Sequence, residues 1–105
     1  MTDKEINEAV ARKLYPNPKD LDPLNPETWD KPWEVAIPDY ANDIKAAWEV
    51  VKHLSVNYGI QLSRDTEGFA KNEWRMYIST GPIEGHSAYA STAPRAICEA
   101  FLNLP

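Results

Sequence analysis

Apolar residues recur every three or four positions in three segments of the chain, and this spacing predicts three helices. The first helix is expected from about Thr2 to Tyr15, because Thr2 and Glu5 form a capping box at its start. Its apolar stripe is narrow and consists of Ile6, Val10 and Leu14. A helix this short must dock on the rest of the fold to persist, since isolated helices of this length are marginal in water.

The second helix is expected after a break at Pro38, with Asp39 as its N-cap, and it ends near Asn57. Its expected buried face consists of Ile44, Ala47, Trp48, Val51 and Leu54. The last helix begins near Thr92, where Pro94 is tolerated in the first turn. Its expected buried residues are Ala93, Ala96, Ile97, Ala100, Phe101 and Leu104.

Alternation of apolar and polar residues between the second and last helices predicts three short strands, at 60–64, 73–79 and 86–91. Short links between alternating segments favour an antiparallel meander. The predicted fold is therefore α+β: an α/β/α sandwich around a small three-stranded antiparallel sheet. The expected order is helix, strap, helix, three strands and helix, with the first helix covering the sheet face that the other two leave open.

Residues 16–38 differ in composition from the rest of the chain. They hold six of the nine prolines and several acidic residues, and proline prevents both helix continuation and sheet donation. Trp29 and Trp33 indicate an ordered strap, because indoles gain by packing on the body of a domain. We expect one domain over 1–105, made of a helix at 1–15, a strap at 16–38 and a core at 39–105.

Length and charge narrow the class of partner. The chain has 105 residues, which fits one domain. Its net charge of −5 argues against duplex nucleic acid, since phosphate binding depends on a basic excess. A basic leader and an apolar run long enough to cross a bilayer are both absent from the sequence, so no membrane partner is expected. The single cysteine fits a reducing cytoplasm.

The sequence contains no recognisable catalytic motif. Cys98 could act as a nucleophile with His53 or His86 as its base, but it lies in mid-helix among apolar residues, where cysteine normally packs as a small hydrophobe. The three residues also lack the paired spacing of a zinc site. Asp39 and Tyr40 are interpreted as structural, the first as a helix cap and the second as an anchor for the strap. We expect a protein that is not an enzyme and needs no metal or cofactor.

Three stretches carry a family resemblance: Pro38-Asp39-Tyr40 with residues 43–51 behind it, residues 90–100, and the opening residues 2–9. They resemble the phage ABA-sandwich domain family over most of the chain from Val35 onward, although the proline strap is longer than the link expected there. The resemblance implies a phage or prophage gene and an α/β/α sandwich. It implies no established activity and no catalytic residues. The double-stranded-RNA-binding domain has a similar element order, but the basic cluster at its last helix is missing here.

Arginine and aromatic residues are concentrated in the predicted strands and at the start of the last helix. Arginine forks bind phosphate, aromatic faces stack on bases, and the start of a helix offers free amides. The candidate ligand-binding residues are Arg64, Trp74, Arg75, Tyr77, Tyr89, Thr92 and Arg95. Each of them alone is also an ordinary strand or core residue, and the register of the sheet decides whether they converge.

Phage origin and this residue set together favour a counter-defence protein that sequesters a small anionic, nucleotide-type host immune signal in the host cytoplasm. The alternative is a protein-binding inhibitor or regulator of a host factor, acting through the acidic strap with Trp29 and Trp33. A pocket lined by arginine favours the first function and exposed strap tryptophans favour the second. The open edges of three short strands also admit a homo-oligomer.

Overall fold

The computed structural model describes residues 2–16, 37–65 and 73–104. Within these ranges the helices are α1 (Asp3–Leu14), α2 (Ile44–Ser55) and α3 (Ala93–Asn103), and the strands are β1 (Gly59–Asp65), β2 (Glu73–Ser79) and β3 (Gly85–Ala90). The predicted α+β class and the order of the elements are confirmed, and the globule is consistent with an α/β/α sandwich. Residues 17–36 lie outside the described residues, and with them most of the predicted strap, including Trp29 and Trp33.

The sheet is an antiparallel meander with β2 in the centre, between β1 and β3. Met76 and Ile78 of β2 are fully buried, so the face that carries them is the core side of the sheet. Helix α3 packs on this side against β2 and β3, while α2 packs against α3 and β1. The sheet therefore presents its apolar residues to two helices, as the alternation in β2 predicts.

Helix α1 packs against α3. This placement differs from the expectation that α1 covers the second face of the sheet. Its buried residues are Ile6, Val10 and Ala11, which join the same core as the buried residues of α3. The predicted capping box is present: the Glu5 amide donates to Thr2 Oγ1 over 3.2 Å, and the Thr2 amide donates to Glu5 Oε1 over 3.1 Å. These bonds stabilise the carboxylate and lower the pKa of Glu5.

The start of α2 differs from the prediction that Asp39 caps it. Asp43 is the N-cap, and its Oδ1 accepts a hydrogen bond from the Lys45 amide over 3.0 Å. Asp39 instead lies in a turn, where its carbonyl oxygen accepts from the Asp43 amide over 2.8 Å. The prediction was wrong because both aspartates lie just before the helix. A turn that begins at Asp39 occupies the next residues, so the helix begins only after Asp43.

The buried side of α2 is also rotated relative to the predicted face. Its buried residues are Ala47, Val50 and Leu54, whereas Ile44 and Trp48 are 44% and 47% exposed. Two overlapping apolar stripes run along this helix. The predicted stripe contains Trp48, the buried stripe contains Val50, and both contain Ala47 and Leu54. The contact with α3 selects the stripe that contains Val50, and Trp48 is left at its border.

Helix α3 buries Ala96, Ile97, Ala100 and Phe101 as predicted, together with Cys98, and its C-cap Leu104 is buried as well. Ala93, which was also predicted to be buried, is only partly buried in the first turn. The Cys98 thiol is fully buried and donates to the carbonyl oxygen of Tyr40 over 3.3 Å. Burial raises the pKa of Cys98 to about 12, so its thiol is protonated at neutral pH. This agrees with its interpretation as a packing residue. Among the described helices, none combines the length and apolar character that crossing a bilayer requires.

Candidate functional site

The face of the sheet opposite the core, called the outer face below, carries a group of polar and aromatic side chains. Side chains alternate along a strand, so Arg75 and Tyr77 point away from the side that holds Met76 and Ile78. Residues directly opposite each other in an antiparallel pair share a face. The register therefore adds their neighbours on both sides, and the outer face holds Gln61, Ser63, Glu73, Arg75, Tyr77, Ser87 and Tyr89.

Arg75 lies at the centre of the outer face, opposite Ser63 on β1 and Tyr89 on β3. Its Nη2 donates to Ser87 Oγ over 3.3 Å, and its guanidinium carbon lies 5.2 Å from the ring centroid of Tyr77. The stacking on Tyr77 is a cation–π contact that holds the guanidinium in place. Arg75 thus presents a positioned cation on the sheet.

The Nε atom of Arg75 is buried and has no hydrogen-bond partner within the described part of the chain. A buried donor without an acceptor costs roughly 1–3 kcal/mol. One hydrogen bond from Nη2 leaves further donors of the five on a guanidinium without a partner among the described residues. An acceptor oxygen supplied by a ligand would offset this cost.

Tyr77 extends along the sheet from Arg75 to Gly85. A Cβ atom at Gly85 would collide with the hydroxyl and the ring of Tyr77, so the ring lies directly over this glycine. Gly85 on β3 is opposite Ser79 on β2. The missing side chain at Gly85 is therefore what allows Tyr77 to lie flat on the sheet beside Arg75.

Gly85→Ala is expected to lower stability by about 1–3 kcal/mol, because the new methyl group must displace the Tyr77 ring. Gly59→Ala is the matched control, since Gly59 is opposite Ser79 on the other edge strand and, among the described residues, its Cβ would meet only Ser79 Cβ at 3.4 Å. Urea unfolding midpoints measure both effects. Equal losses in the two variants would contradict the close packing of Tyr77 on Gly85.

The other four predicted ligand residues do not join Arg75, Tyr77 and Tyr89. Arg64 is opposite Trp74, and the alternation places both on the core side of the sheet, Arg64 exposed and Trp74 partly buried against the core. Thr92 is the N-cap of α3, but its side chain makes no capping hydrogen bond. Arg95 Nη1 lies 2.8 Å from Asp3 Oδ1, and Arg95 Nε lies 3.3 Å from Glu99 Oε1. The structure therefore brings together three of the seven predicted residues.

The motif-like Asp39 belongs to a polar network that sequence reasoning did not find. Asn7 of α1 accepts from the Ala41 amide over 2.8 Å and donates to Asp39 Oδ1 over 3.0 Å. Asn42 donates to the same Asp39 oxygen over 3.2 Å and to Asp3 over 2.9 Å. The network attaches α1 to the turn before α2, which gives Asp39 a structural role.

Tyr40 of the same turn is buried, and burial raises the pKa of its hydroxyl well above the usual value. Most of the strap that it was predicted to anchor lies outside the described residues. Over residues 2–16, 37–65 and 73–104, no three His, Cys, Asp or Glu side chains are grouped so that they could hold a metal ion.

Comparison with known families shows to which family the chain is related. The model of the phage ABA sandwich domain matches residues 8–102, which include α2, all three strands and most of α3. The chain belongs to the phage ABA sandwich domain family. This confirms the resemblance seen in the sequence.

A phage protein from Bacillus cereus ATCC 14579, known from a crystal structure, is similar to this phage ABA sandwich protein. The two are 25% identical, and the match covers 97% of this chain and 90% of that one with a TM-score of 0.68. No curated protein matches the chain.

Gln61, Ser63 and Ser87 are outer-face residues of the ABA sandwich protein that sequence reasoning missed. They surround Arg75 and Tyr77 with hydroxyl and amide groups, which can donate to or accept from a ligand. The alternation in β2 already separates Arg75 and Tyr77 from Trp74. The register needed to add the three neighbours depends on how the strands pair, and the sequence does not specify that directly.

Proposed function

We propose that this phage ABA sandwich protein is a non-catalytic counter-defence protein that binds and sequesters a small nucleotide-type immune signal in the host cytoplasm. The observation that carries the proposal is Arg75 on the outer face. Its guanidinium rests on Tyr77, faces Tyr89 across the strands and has donors without partners in the described part of the chain.

The group offers the two kinds of contact that a nucleotide needs. A guanidinium binds phosphate oxygens through charge-assisted hydrogen bonds, which are about twice as strong as neutral ones. Tyr89 is 44% exposed and presents an aromatic face on the neighbouring strand, where a base can stack. The hydroxyls of Ser63 and Ser87 lie on either side and can bond the sugar or further phosphate oxygens.

Positioning of Arg75 before binding supports useful affinity. A free arginine side chain loses up to about 2 kcal/mol of conformational freedom when it is fixed. The contacts with Tyr77 and Ser87 restrict the guanidinium in the unliganded protein. A protein that removes a signal by binding alone needs this affinity, because each molecule neutralises only the ligand it holds.

The proposal is tested by thermal unfolding of the purified protein with a panel of cyclic and ADP-ribose-type nucleotides. A ligand at 100 times its dissociation constant adds about 2.7 kcal/mol of stability. The unfolding temperature of a domain this small then rises by several degrees. Inorganic phosphate and the matching nucleosides are the controls, and they should shift it less because each offers only half of the contacts. Absence of a shift with every nucleotide would overturn the proposal for these ligands.

The alternative function, inhibition or regulation of a host protein through the acidic strap, stays a prediction. It depends on Trp29 and Trp33, which lie outside the described residues. The predicted homo-oligomer also stays a prediction.

A further inference from the structure

Helix α2 carries a second exposed surface, which differs in composition from the outer face of the sheet. Ile44 and Trp48 are one helical turn apart, and both are close to half exposed. They line a shallow groove of about 430 Å³ with three charged residues. This surface, called the Trp48 face below, consists of Ile44, Lys45, Trp48, Glu49 and Lys52.

The apolar part of the Trp48 face has the composition of an interface centre. Tryptophan is enriched among the few residues that supply most of the binding energy in protein complexes. Trp48 and Ile44 form a continuous strip along the border of the buried side of α2. Apolar area covered there by a partner gains roughly 25 cal/mol per Å².

The charges beside this strip indicate the sign of the charge that a partner would carry. Lys45 and Lys52 are seven residues apart, so they lie on the same flank of α2, next to Trp48. Glu49 pairs with Lys52 at 3.4 Å, whereas the Lys45 side chain has no ion pair within the described part of the chain. Two lysines and one glutamate give this flank a net charge of +1, in a protein whose net charge is −5.

A second copy of the chain fits this arrangement poorly. Two copies related by a two-fold axis present the same patch to each other. Two antiparallel α2 helices packed through Trp48 would place Lys45 and Lys52 of one copy against Lys52 and Lys45 of the other. Each copy carries two lysines and one glutamate on this flank, so the contact brings two surfaces of net charge +1 together, which is unfavourable.

We propose that the Trp48 face docks an acidic amphipathic helix of another protein, with apolar side chains on Ile44 and Trp48 and carboxylates along Lys45 and Lys52. A helix laid in an apolar groove is a common mode of recognition, with anchors at intervals of three and four residues. The α2 segment has 12 residues, or about 18 Å, which matches the length of such a contact. This surface is independent of Arg75 and of the proposed ligand.

The test uses two labelled synthetic helices with the same leucine face, one with glutamate and one with lysine along its flank. Fluorescence anisotropy with the full chain measures their affinities at physiological salt. The glutamate helix should bind about tenfold or more tightly than the lysine helix. The net charge of the protein attracts the lysine helix, so a preference for glutamate must come from a local basic site.

Matched variants locate the contact. Trp48→Ala should weaken the glutamate helix about tenfold or more, the effect of truncating a dominant interface residue. Lys45→Glu should remove or reverse the preference, while Lys4→Glu should leave it unchanged. Lys45 and Lys4 both occupy the second position of their helices and both are exposed, so the two changes are equal in charge and in helical context.

Three results would overturn the proposal. They are equal binding of the two helices, undiminished binding by Trp48→Ala, and a dimer of the wild-type chain in light scattering that Trp48→Ala dissociates. The last result would seat a second copy on the face. Circular dichroism of each variant verifies that α2 is folded. If the Trp48→Ala variant does not fold, Ile44→Ala supplies a milder truncation of the same strip.

Discussion

Phe101→Ala is expected to lower the free energy of unfolding by about 3–5 kcal/mol, the usual loss for removing a buried phenylalanine ring. Phe101 is only 2% exposed and lies where all three helices meet. The His53 ring of α2 contacts it edge-on, with centroids 6.1 Å apart. The Lys13 ammonium of α1 lies 4.8 Å from its ring centroid.

Lys13 increases the loss of stability that is expected when the Phe101 ring is removed. Its Nζ donates to the Phe101 and Leu104 carbonyl oxygens over 2.6 and 2.7 Å, which satisfies acceptors at the end of α3. Partial burial lowers the pKa of Lys13, and the two carbonyl oxygens and the Phe101 ring lie against its ammonium group. Loss of the ring therefore removes packing and one of the contacts that hold α1 on α3.

Urea unfolding measures the loss of stability in Phe101→Ala, with Ile83→Ala as the control. Ile83 is 95% exposed in the turn between β2 and β3, so its truncation should change stability by less than about 0.5 kcal/mol. Domains of this size have about 5–15 kcal/mol of stability, so Phe101→Ala should lose a large share of it. Similar losses in the two variants would contradict a core centred on the contacts of α3.

Local signals in the sequence predicted the elements well. The capping box at Thr2 and Glu5 depends on residues three apart, and it forms as predicted. The alternation in β2 and the apolar stripe of α3 are strong because each faces the core along its whole length. These features depend on neighbours in the chain, so the order of helices and strands follows from the sequence.

Features that depend on packing between elements were harder to predict. Trp48 fits the apolar stripe of α2, but the contact with α3 turns the helix so that Val50 is buried in its place. The docking of α1 involves two polar residues: Asn7 bonds the turn before α2, and Lys13 bonds the end of α3. Their partners lie more than 30 and 80 positions away along the chain. No local pattern indicates such partners.

The candidate site falls between these two cases. Arg64 and Arg75 are equally good phosphate ligands by residue type, and only the pairing of β1 with β2 places them on opposite faces. The alternation within β2 links Arg75 to Tyr77, which are two positions apart. Tyr89 joins them through the register of β3, which the sequence suggests only weakly because that strand is short and rich in small residues.

Arg75→Ala is expected to weaken binding of the nucleotide about 100-fold, or roughly 2.7 kcal/mol. Hydrogen bonds to a charged group are worth about 1.5–3 kcal/mol, and this change removes the cation that would face the phosphate. It also releases the Tyr77 ring from its cation–π contact. Arg64→Ala is the matched control, because it deletes an exposed arginine from the adjacent strand on the other face of the sheet.

Calorimetric titration of the wild type and these two variants, with the nucleotide that stabilises the wild type most, tests the outer face as the binding site most directly. We expect one ligand per chain, unchanged affinity in Arg64→Ala and a loss of about 100-fold in Arg75→Ala. Wild-type affinity in Arg75→Ala, or an equal loss in both variants, would contradict a site on the outer face of the sheet.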